Sequence, residues 1–394
     1  MIRLSRSLIP GQSDAKSSVE RRLSYQPALD GMRALAVAAV LAYHAGLPWA
    51  RGGFLGVDAF FVLSGFLITS LLLAEWRSRG RINLPGFWAR RARRLLPALF
   101  LVLLGVGVYA IVFAAPDELG KLRGDALATI GYVANWRPIF THQSYFDQFA
   151  VPSPLRHTWS LAIEEQWYAV WPLIVVLMLT LRRGSLRLLL PVALVMLAAS
   201  ALLMAWLYTP GSDPSRVYYG TDTRAQSLLV GSVLAMLLAG RGSISAAWGK
   251  VVLQLLAIVS VVYIGYTWVT MSDESSFLYR GGLLSLAVAV AVVIAAVTQT
   301  KRGPLGRVLS LPPLRALGLI SYGVYLWHWP IYLMLTPDRV GWNGYGLFLV
   351  RVMVTLSLAT ASYHLLEMPF RRGAFRRWRA SWTLAPVGAA TLAV

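Results

Sequence analysis

Apolar runs of about twenty residues recur along this chain of 394 amino acids. A helix of about twenty apolar residues is long enough to cross the hydrocarbon core of a bilayer, whereas the ten-residue alternating strands of a membrane β-barrel are missing from the sequence. We therefore predict an all-α, polytopic membrane helix bundle with about ten transmembrane helices. The predicted spans are residues 34–48, 55–75, 95–113, 161–181, 188–208, 223–240, 251–269, 282–299, 316–336 and 345–366.

The composition supports a membrane protein. Hydrophobic residues make up 57% of the chain and charged residues only 14%, against about a quarter charged in soluble domains. The chain has no cysteine, which excludes disulfides, thiolate catalysis and cysteine-ligated metal centres. No histidine spacing typical of a metal site and no phosphate-binding glycine motif occurs in the sequence, so neither a metal nor a cofactor is predicted.

The basic residues predict the orientation. If the N-terminus is cytoplasmic, ten alternating spans put 27 of the 37 Lys and Arg residues on the cytoplasmic side, as expected for a multi-pass protein of the cell membrane. The net charge of +20 is then explained by topology, and no nucleic-acid partner is expected. The cytoplasmic basic clusters are residues 77–94, 182–187, 241–250, 301–315 and 371–379.

One segment does not fit a simple span. Residues 122–140 are moderately apolar but contain Arg123, Asp125, Asn135 and Arg137. A full span here would invert every later helix, so we predict one outer region, residues 114–160, with a re-entrant or interfacial helix protected by protein or water.

Three domains are predicted. Residues 1–25 are polar and lack a signal-peptide core, which predicts a disordered cytoplasmic tail. Residues 26–370 form the membrane domain. Residues 371–394 form a basic cytoplasmic segment followed by an apolar tail or the start of an eleventh span.

Polar side chains are predicted near the outer ends of three spans. They are His44 in span 1, Asp58 in span 2, and Glu164 and Glu165 in span 4. Ionisable groups at membrane depth are functional candidates, and a carboxylate beside an imidazole suits general-base catalysis. The alternatives are a helix cap for Asp58, a dipole-stabilised first turn for the glutamates and a packing role for His44.

Arginines mark the predicted inner ends of the spans. Arg33 precedes His44 by eleven residues, a rise of about 16 Å along a helix. Arg91 and Arg94 share one face at the start of span 3. Arginine clusters at a membrane surface bind phosphates by paired hydrogen bonds. From charge alone, contacts to lipid headgroups remain the alternative.

Other polar groups are ambiguous. His328 lies among aromatic residues of span 9, where packing is the simpler role. Asp222 and Arg224, at the start of span 6, are suited either to bind a polar acceptor or to cap the helix.

Several motifs together resemble the integral-membrane acyltransferase-3 family over residues 25–370. Trp167 departs from the phenylalanine usual in the family. The matching elements are Leu29-Asp-Gly-Met-Arg33 with His44, Gly56-Val-Asp-Ala-Phe-Phe-Val-Leu-Ser-Gly65, Arg91-x-x-Arg94, Trp159-Ser-Leu-Ala-Ile-Glu-Glu-Gln-Trp-Tyr168, Tyr219-Gly-Thr-Asp-Thr-Arg224 and Ser321-Tyr-Gly-Val-Tyr-Leu-Trp-His-Trp-Pro330.

The resemblance implies ten spans and O-acylation of carbohydrate acceptors in the cell envelope by cytoplasmic acyl-CoA. Under it, Arg91 and Arg94, with Arg33 at the same depth, are expected to hold the donor's phosphates. His44 is expected to act as general base or covalent acyl carrier, oriented by Asp58 or Glu164. The remaining assignments are Glu165 as a further catalytic candidate, and His157, Asp222, Arg224 and His328 as acceptor-side candidates.

The acyl group is expected to be acetyl. Peptidoglycan, another envelope polysaccharide, a glycolipid and a glycosylated metabolite all fit as acceptors, with membrane lipids as further partners. Family members often add an eleventh span and an extracytoplasmic hydrolase-like domain. This sequence contains no such domain, so a second transfer step is not expected.

Two other functions are compatible with intramembrane charges. A transporter or flippase of an amphiphilic substrate also uses buried carboxylates and histidines, although the sequence shows no inverted repeat. A structural partner of an extracytoplasmic enzyme would tolerate replacement of His44. Consumption of acyl-CoA separates the enzyme from the transporter.

Overall fold

The computed structural model describes residues 25–145, 152–242, 244–300 and 303–372. All regular secondary structure in these residues is helical, which confirms the predicted fold class. Apart from Tyr25, the predicted N-terminal tail lies outside the described residues. The same is true of the predicted C-terminal tail from residue 373 onward.

The α-helices of the described residues are numbered here in chain order. They are α1 (Pro27–His44), α2 (Gly56–Arg79), α3 (Leu84–Val112), α4 (Leu119–Ile130), α5 (Trp136–Phe140), α6 (Trp159–Leu181), α7 (Leu186–Leu207), α8 (Ser215–Tyr219), α9 (Thr221–Arg241), α10 (Ala247–Thr270), α11 (Leu283–Gln299), α12 (Pro304–Leu309), α13 (Pro312–Met334), α14 (Pro337–Val340), α15 (Gly344–Ser362) and α16 (Met368–Arg372). Short 3₁₀ turns cover Pro48–Ala50, Gly53–Leu55 and Arg156–Thr158, and π-helical turns cover Leu278–Gly282 and Tyr363–Glu367.

Each predicted span falls mainly within one of ten long helices. Eight of these helices, together with their flanking turns, are long and apolar enough to cross a membrane, which confirms a polytopic membrane protein. The other two are α1 and α13, which are more polar because α1 carries Asp30, Arg33 and His44, and α13 carries His328. His44 and His328 therefore lie in the two long helices that do not meet this criterion.

Two parallel helix pairs form the centre of the bundle, and both pack through glycine. A Cβ on Gly318 of α13 would lie 1.9 Å from the backbone oxygen of Asp30 in α1, and a Cβ on Gly65 of α2 would lie 1.9 Å from that of Leu228 in α9. Small residues allow membrane helices to approach closely. The α1–α13 contact brings the first and ninth predicted spans side by side.

In the region 114–160, where one re-entrant or interfacial helix is predicted, the structure has a hairpin of two short helices, α4 and α5. Helix α4 has 12 residues, too few to span a bilayer. Arg137 of α5 pairs with Asp125 of α4 at 2.7 Å. At the turn of the hairpin, the Tyr132 carbonyl accepts a hydrogen bond from Gln166 at 2.7 Å. Because Gln166 lies two turns into α6, the turn of the hairpin contacts the side of this helix.

A polar network holds the tip of this hairpin. The Gln166 amide donates to Asn135 Oδ1 at 2.9 Å and accepts from the Thr221 hydroxyl at 2.6 Å. The Asn135 amide donates to the Tyr219 carbonyl at 3.0 Å. A buried network whose members are satisfied fixes one arrangement of its elements. Here it fixes the hairpin against α6 and α9.

Candidate active site

A pair of histidines joins the adjacent ends of α1 and α13. Nδ1 of His44, the last residue of α1, lies 2.9 Å from Nε2 of His328. The two rings stack with centroids 5.1 Å apart, and the Trp329 ring covers His44 at 4.7 Å. The simple packing role considered for His328 is therefore incomplete, because this residue contacts His44 through a ring nitrogen.

The hydrogen-bond partners determine which nitrogen of His44 is basic. His328 Nδ1 lies 2.5 Å from the Tyr325 carbonyl, which only accepts, so this nitrogen carries the proton. In a neutral ring, His328 Nε2 then accepts, and His44 Nδ1 donates to it. The lone pair of a neutral His44 is consequently on Nε2, the ring nitrogen that does not contact His328. The His328 imidazole, held by the Tyr325 carbonyl, thus orients the His44 ring. The sequence predicts a carboxylate in this role.

Tyr145 occupies the position in front of this lone pair. Its hydroxyl lies 3.3 Å from His44 Nε2. Burial raises the pKa of the Tyr145 phenol, so the hydroxyl stays protonated at neutral pH and donates to the imidazole. Arg156 stacks on the Tyr145 ring at 5.2 Å and donates to the Tyr145 carbonyl at 3.1 Å. A protonated hydroxyl is therefore already held beside the basic nitrogen.

Asp58 does not orient His44, contrary to the prediction. Its carboxylate accepts from Arg224 at 2.9 Å and from the Ser227 hydroxyl at 3.0 Å. The Arg224 guanidinium also stacks on the ring of Tyr218 at 4.9 Å. Both charged side chains are at most 1% exposed. The pair joins α2 to α9, which also removes Arg224 from contact with an acceptor.

Glu164 also bonds to a residue other than His44, so the predicted contact between Glu164 and His44 is wrong. Its Oε1 accepts from the Ser64 hydroxyl at 2.6 Å, and that hydroxyl accepts from Tyr168 at 3.0 Å. Glu164 lines a pocket of about 80 Å³ together with the three predicted arginines. The side chain of the following Glu165 makes no hydrogen bond to another residue in the part of the chain that the structure describes.

The three arginines, which are predicted to lie at the same depth, line one cavity. Arg33, Arg91 and Arg94 line a space of about 750 Å³ at the Asp30 end of α1. Arg33 donates to Asp30 at 2.9 Å, and Arg91 stacks on the Tyr168 ring at 5.4 Å. Because the same arginines line the 80 Å³ pocket, the two spaces adjoin.

The smaller pocket extends as far as Tyr325 of α13. Its lining includes Ser64, Ser160 and Tyr325. Tyr325 is one helical turn before His328 and bonds to it through the backbone. The basic cavity and the histidine pair therefore lie at opposite ends of α1, and the smaller pocket lies between them.

The other acceptor-side candidates have structural partners. Asp222 pairs with Arg216 at 2.7 Å and accepts from the Thr223 amide at 3.0 Å within the first turn of α9, but the N-cap of this helix is Gly220, so Asp222 is not its cap. His157 is buried, and its Nε2 lies 3.1 Å from the Leu326 carbonyl. The His157 ring is 5.4 Å from that of His328, so this residue packs behind the histidine pair.

Several site residues were missed by sequence reasoning. Ser64 and Tyr325 lie inside motifs already singled out, and Arg156 is adjacent to His157, so their neighbourhood was a usable signal. Tyr145 carries no such signal, since it lies in an irregular segment of the outer region. Only the fold brings its hydroxyl to His44.

The helix bundle and its site define a polytopic membrane protein with a histidine pair at one end of α1 and a basic cavity at the other. Residues 26–364 match the profile of a family described as an acyltransferase domain. The chain belongs to this family, the integral-membrane acyltransferase-3 proteins, as its motifs predict. No solved structure matches the chain.

Two relatives illustrate the similarity. The chain is 43% identical to the peptidoglycan O-acetyltransferase OatA of Listeria monocytogenes over 354 residues, which cover 89% of this chain and 56% of the relative. It is 37% identical to the O-acetyltransferase OatA of Staphylococcus aureus over 358 residues, which cover 89% of this chain and 58% of the relative. The chain thus spans a little over half the length of these relatives.

Proposed function

We propose that this protein transfers an acyl group, acetyl in the first instance, from acyl-CoA to a hydroxyl of a cell-envelope carbohydrate. The observation that carries the proposal is the arrangement of three features along α1: the arginine-lined cavity, the smaller pocket that adjoins it and the histidine pair. Similarity to O-acetyltransferases, one of them named for peptidoglycan, supports the acetyl group and the envelope acceptor.

The basic cavity suits the nucleotide end of acyl-CoA. Its volume of about 750 Å³ falls within the range of roughly 300–1,000 Å³ typical of ligand sites. Guanidinium groups bind phosphates through paired, charge-assisted hydrogen bonds. In our proposal Arg33, Arg91 and Arg94 face the cytoplasm, together with the N-terminus, and hold the donor's phosphates.

The narrow pocket suits the extended arm of the donor. Ser64 and Tyr168 offer hydroxyls along one wall, which suit the amide groups of a pantetheine arm. The arm directs the thioester toward Tyr325 and the histidine pair. The rise of about 16 Å from Arg33 to His44 along α1 is the distance that the arm covers.

The histidine pair supplies the base. His44 Nε2 removes the proton of the acceptor hydroxyl as its oxygen attacks the thioester carbon. The carbon–sulfur bond then breaks, and the leaving thiolate takes the proton from the imidazolium. His328 holds the reactive tautomer throughout. The Tyr145 hydroxyl, at 3.3 Å from Nε2, marks where an acceptor hydroxyl lies during attack.

The test uses the full chain in membrane vesicles supplied with radiolabelled acetyl-CoA. We expect release of CoA and label in envelope glycans, with both lost in His44→Ala. His364→Ala is the matched control, since His364 is exposed in the π-helical turn after α15 and should retain activity. Mass spectrometry of glycans locates the added acetyl.

Two results would overturn the proposal. Full acyl transfer by a well-expressed His44→Ala variant would show that His44 is not the general base. Movement of an amphiphile across the vesicle membrane without release of CoA would instead favour a transporter. A label bound covalently to His44 would change the mechanism from general base to acyl carrier.

A further inference from the structure

The smaller pocket changes character along its length. One end of it carries Arg33, Arg91 and Arg94, whereas the other end reaches Tyr325. We propose that two aromatic side chains at this other end, Phe60 and Tyr325, limit the length of the acyl group on the donor. This inference rests on the proposed function, and it names the feature that selects a short acyl-CoA.

The starts of two helices place an apolar lining at the Tyr325 end. Helix α2 begins at Gly56, soon after α1 ends at His44, and α6 begins close behind His157, which packs behind the histidine pair. Four of the five lining side chains from the first turns of these helices are apolar. The acyl carbons, the least polar part of a thioester, therefore meet an apolar surface there. These five residues are Val57, Phe60, Phe61, Ser160 and Leu161.

Phe60 and Tyr325 pack against each other at this end of the pocket. Their ring centroids lie 6.3 Å apart, and the ring planes are tilted by 58°. This separation lies within the range of about 4.5–7 Å for aromatic pairs in contact. Two rings in contact leave no opening for a chain of methylenes between them, so a longer acyl group meets the ring of Phe60.

The surrounding bundle holds both sides of this wall. The Tyr325 hydroxyl donates to the His157 carbonyl at 3.0 Å and lies 2.7 Å from the Ser160 hydroxyl. Phe60 lies in the first turns of α2 close to Asp58, whose buried ion pair fixes α2 against α9. Widening the pocket would break these buried contacts, and a longer acyl chain is therefore disfavoured.

The volume of the pocket also suits a short acyl group. At about 80 Å³, it is roughly half the size of an engineered cavity of about 150 Å³ that binds benzene. The nucleotide of the donor has the adjoining cavity of about 750 Å³, but each carbon added to the acyl group must fit in the smaller space. One extra methylene in such a pocket lowers kcat/KM by about tenfold or more.

The test compares acetyl-, propionyl- and butyryl-CoA with the full chain in the same membrane vesicles and envelope glycans. Release of CoA at low donor concentration gives the relative kcat/KM for each donor. For wild-type protein we expect kcat/KM to fall by about tenfold from acetyl to propionyl and by about a hundredfold to butyryl.

Removing the Phe60 ring should extend the range of donors. We expect Phe60→Ala to raise kcat/KM for butyryl-CoA by about tenfold or more, while acetyl-CoA gains nothing from the added space. Phe60→Leu should give an intermediate gain, and it disturbs the packing less. A gain with a longer donor does not arise from damage to the fold, which lowers activity with every donor.

Phe100→Ala is the matched control. Phe100 is, like Phe60, a partly exposed phenylalanine of a long helix, but it lines neither the smaller pocket nor the arginine cavity. Its removal should leave the ratio of kcat/KM for butyryl-CoA to that for acetyl-CoA unchanged.

The outcomes separate the two proposals. Values of kcat/KM that do not fall with chain length in wild-type protein would overturn the acyl-length inference, while acyl transfer itself stands. The same holds if the butyryl-to-acetyl ratio is unchanged in both Phe60 variants, or rises equally in Phe100→Ala. Failure of wild-type protein to release CoA from any of the three donors rejects the proposed function instead.

Discussion

Asp58 and Arg224 form an ion pair of 2.9 Å, with both side chains buried between α2 and α9. Removing one partner of a buried pair leaves the other charge uncompensated, which costs about 3–5 kcal/mol. We therefore expect Asp58→Asn to lower the free energy of unfolding by about that amount, measured by thermal unfolding in detergent. Asp222→Asn is the control, since its pair with Arg216 is about a third exposed and is worth about 0–1 kcal/mol. Equal losses in the two variants would contradict this account of Asp58.

Glycine at position 65 permits the close contact of α2 with α9. Because a Cβ there would lie 1.9 Å from the Leu228 backbone oxygen, Gly65→Ala must move a helix and should cost about 1–3 kcal/mol. Gly107→Ala in α3 meets nothing within 4 Å and should be neutral or stabilising by up to about 1 kcal/mol. Thermal unfolding of both variants checks this prediction, and an unchanged Gly65→Ala protein would refute it.

His328 should act by positioning His44. We expect His328→Ala to reduce the rate of acyl transfer by about 10²–10⁴-fold, because the tautomer of His44 is no longer fixed. The KM for acyl-CoA should stay the same, since the arginine cavity is untouched. Imidazole added to the buffer should restore part of the rate by filling the space that the ring leaves. Wild-type turnover by the variant, or lost activity explained by a fall in Tm, would contradict a positioning role.

Arg94 and Arg93 offer a matched pair for testing the donor cavity. Arg94 lines the cavity, whereas the neighbouring Arg93 is exposed and donates to the Ala89 carbonyl at 3.1 Å. Loss of a charge-assisted hydrogen bond costs about 1.5–3 kcal/mol, so Arg94→Gln should raise the KM for acyl-CoA by about tenfold or more. Arg93→Gln should leave it within about twofold. Steady-state kinetics in detergent compares the two, and an equal effect would indicate a general surface charge.

Much of the architecture follows from the sequence because depth in a membrane is encoded locally. A run such as 251–269 predicts a helix, and the position of Arg33 or His44 along its run predicts the end of the bundle at which it lies. A helix that does not span the membrane is predictable around residues 122–140 for the same reason, since Asp125 and Arg137 are too polar for a span.

The partners within the site do not follow from the sequence. Depth along a helix says nothing about which helices are neighbours, so Asp58 and Glu164 appeared equally able to reach His44. Helix packing through Gly318 and Gly65 determines which side chains contact each other. It pairs α1 with α13 and thereby His44 with His328, while it places Asp58 opposite Arg224. The role of Tyr145 depends on a loop whose course no periodic pattern encodes.

The parallel contact of α1 with α13 has a consequence for biogenesis. The two halves of the histidine pair are separated by 284 positions in the chain, and a protein emerges from the ribosome in sequence order. During synthesis, the first helix enters the bilayer with His44 still lacking the ring that orients it. Under the proposed function, the reactive tautomer is established only after α13 has been inserted beside α1, so we expect an incomplete chain to transfer acyl groups far more slowly than the finished bundle.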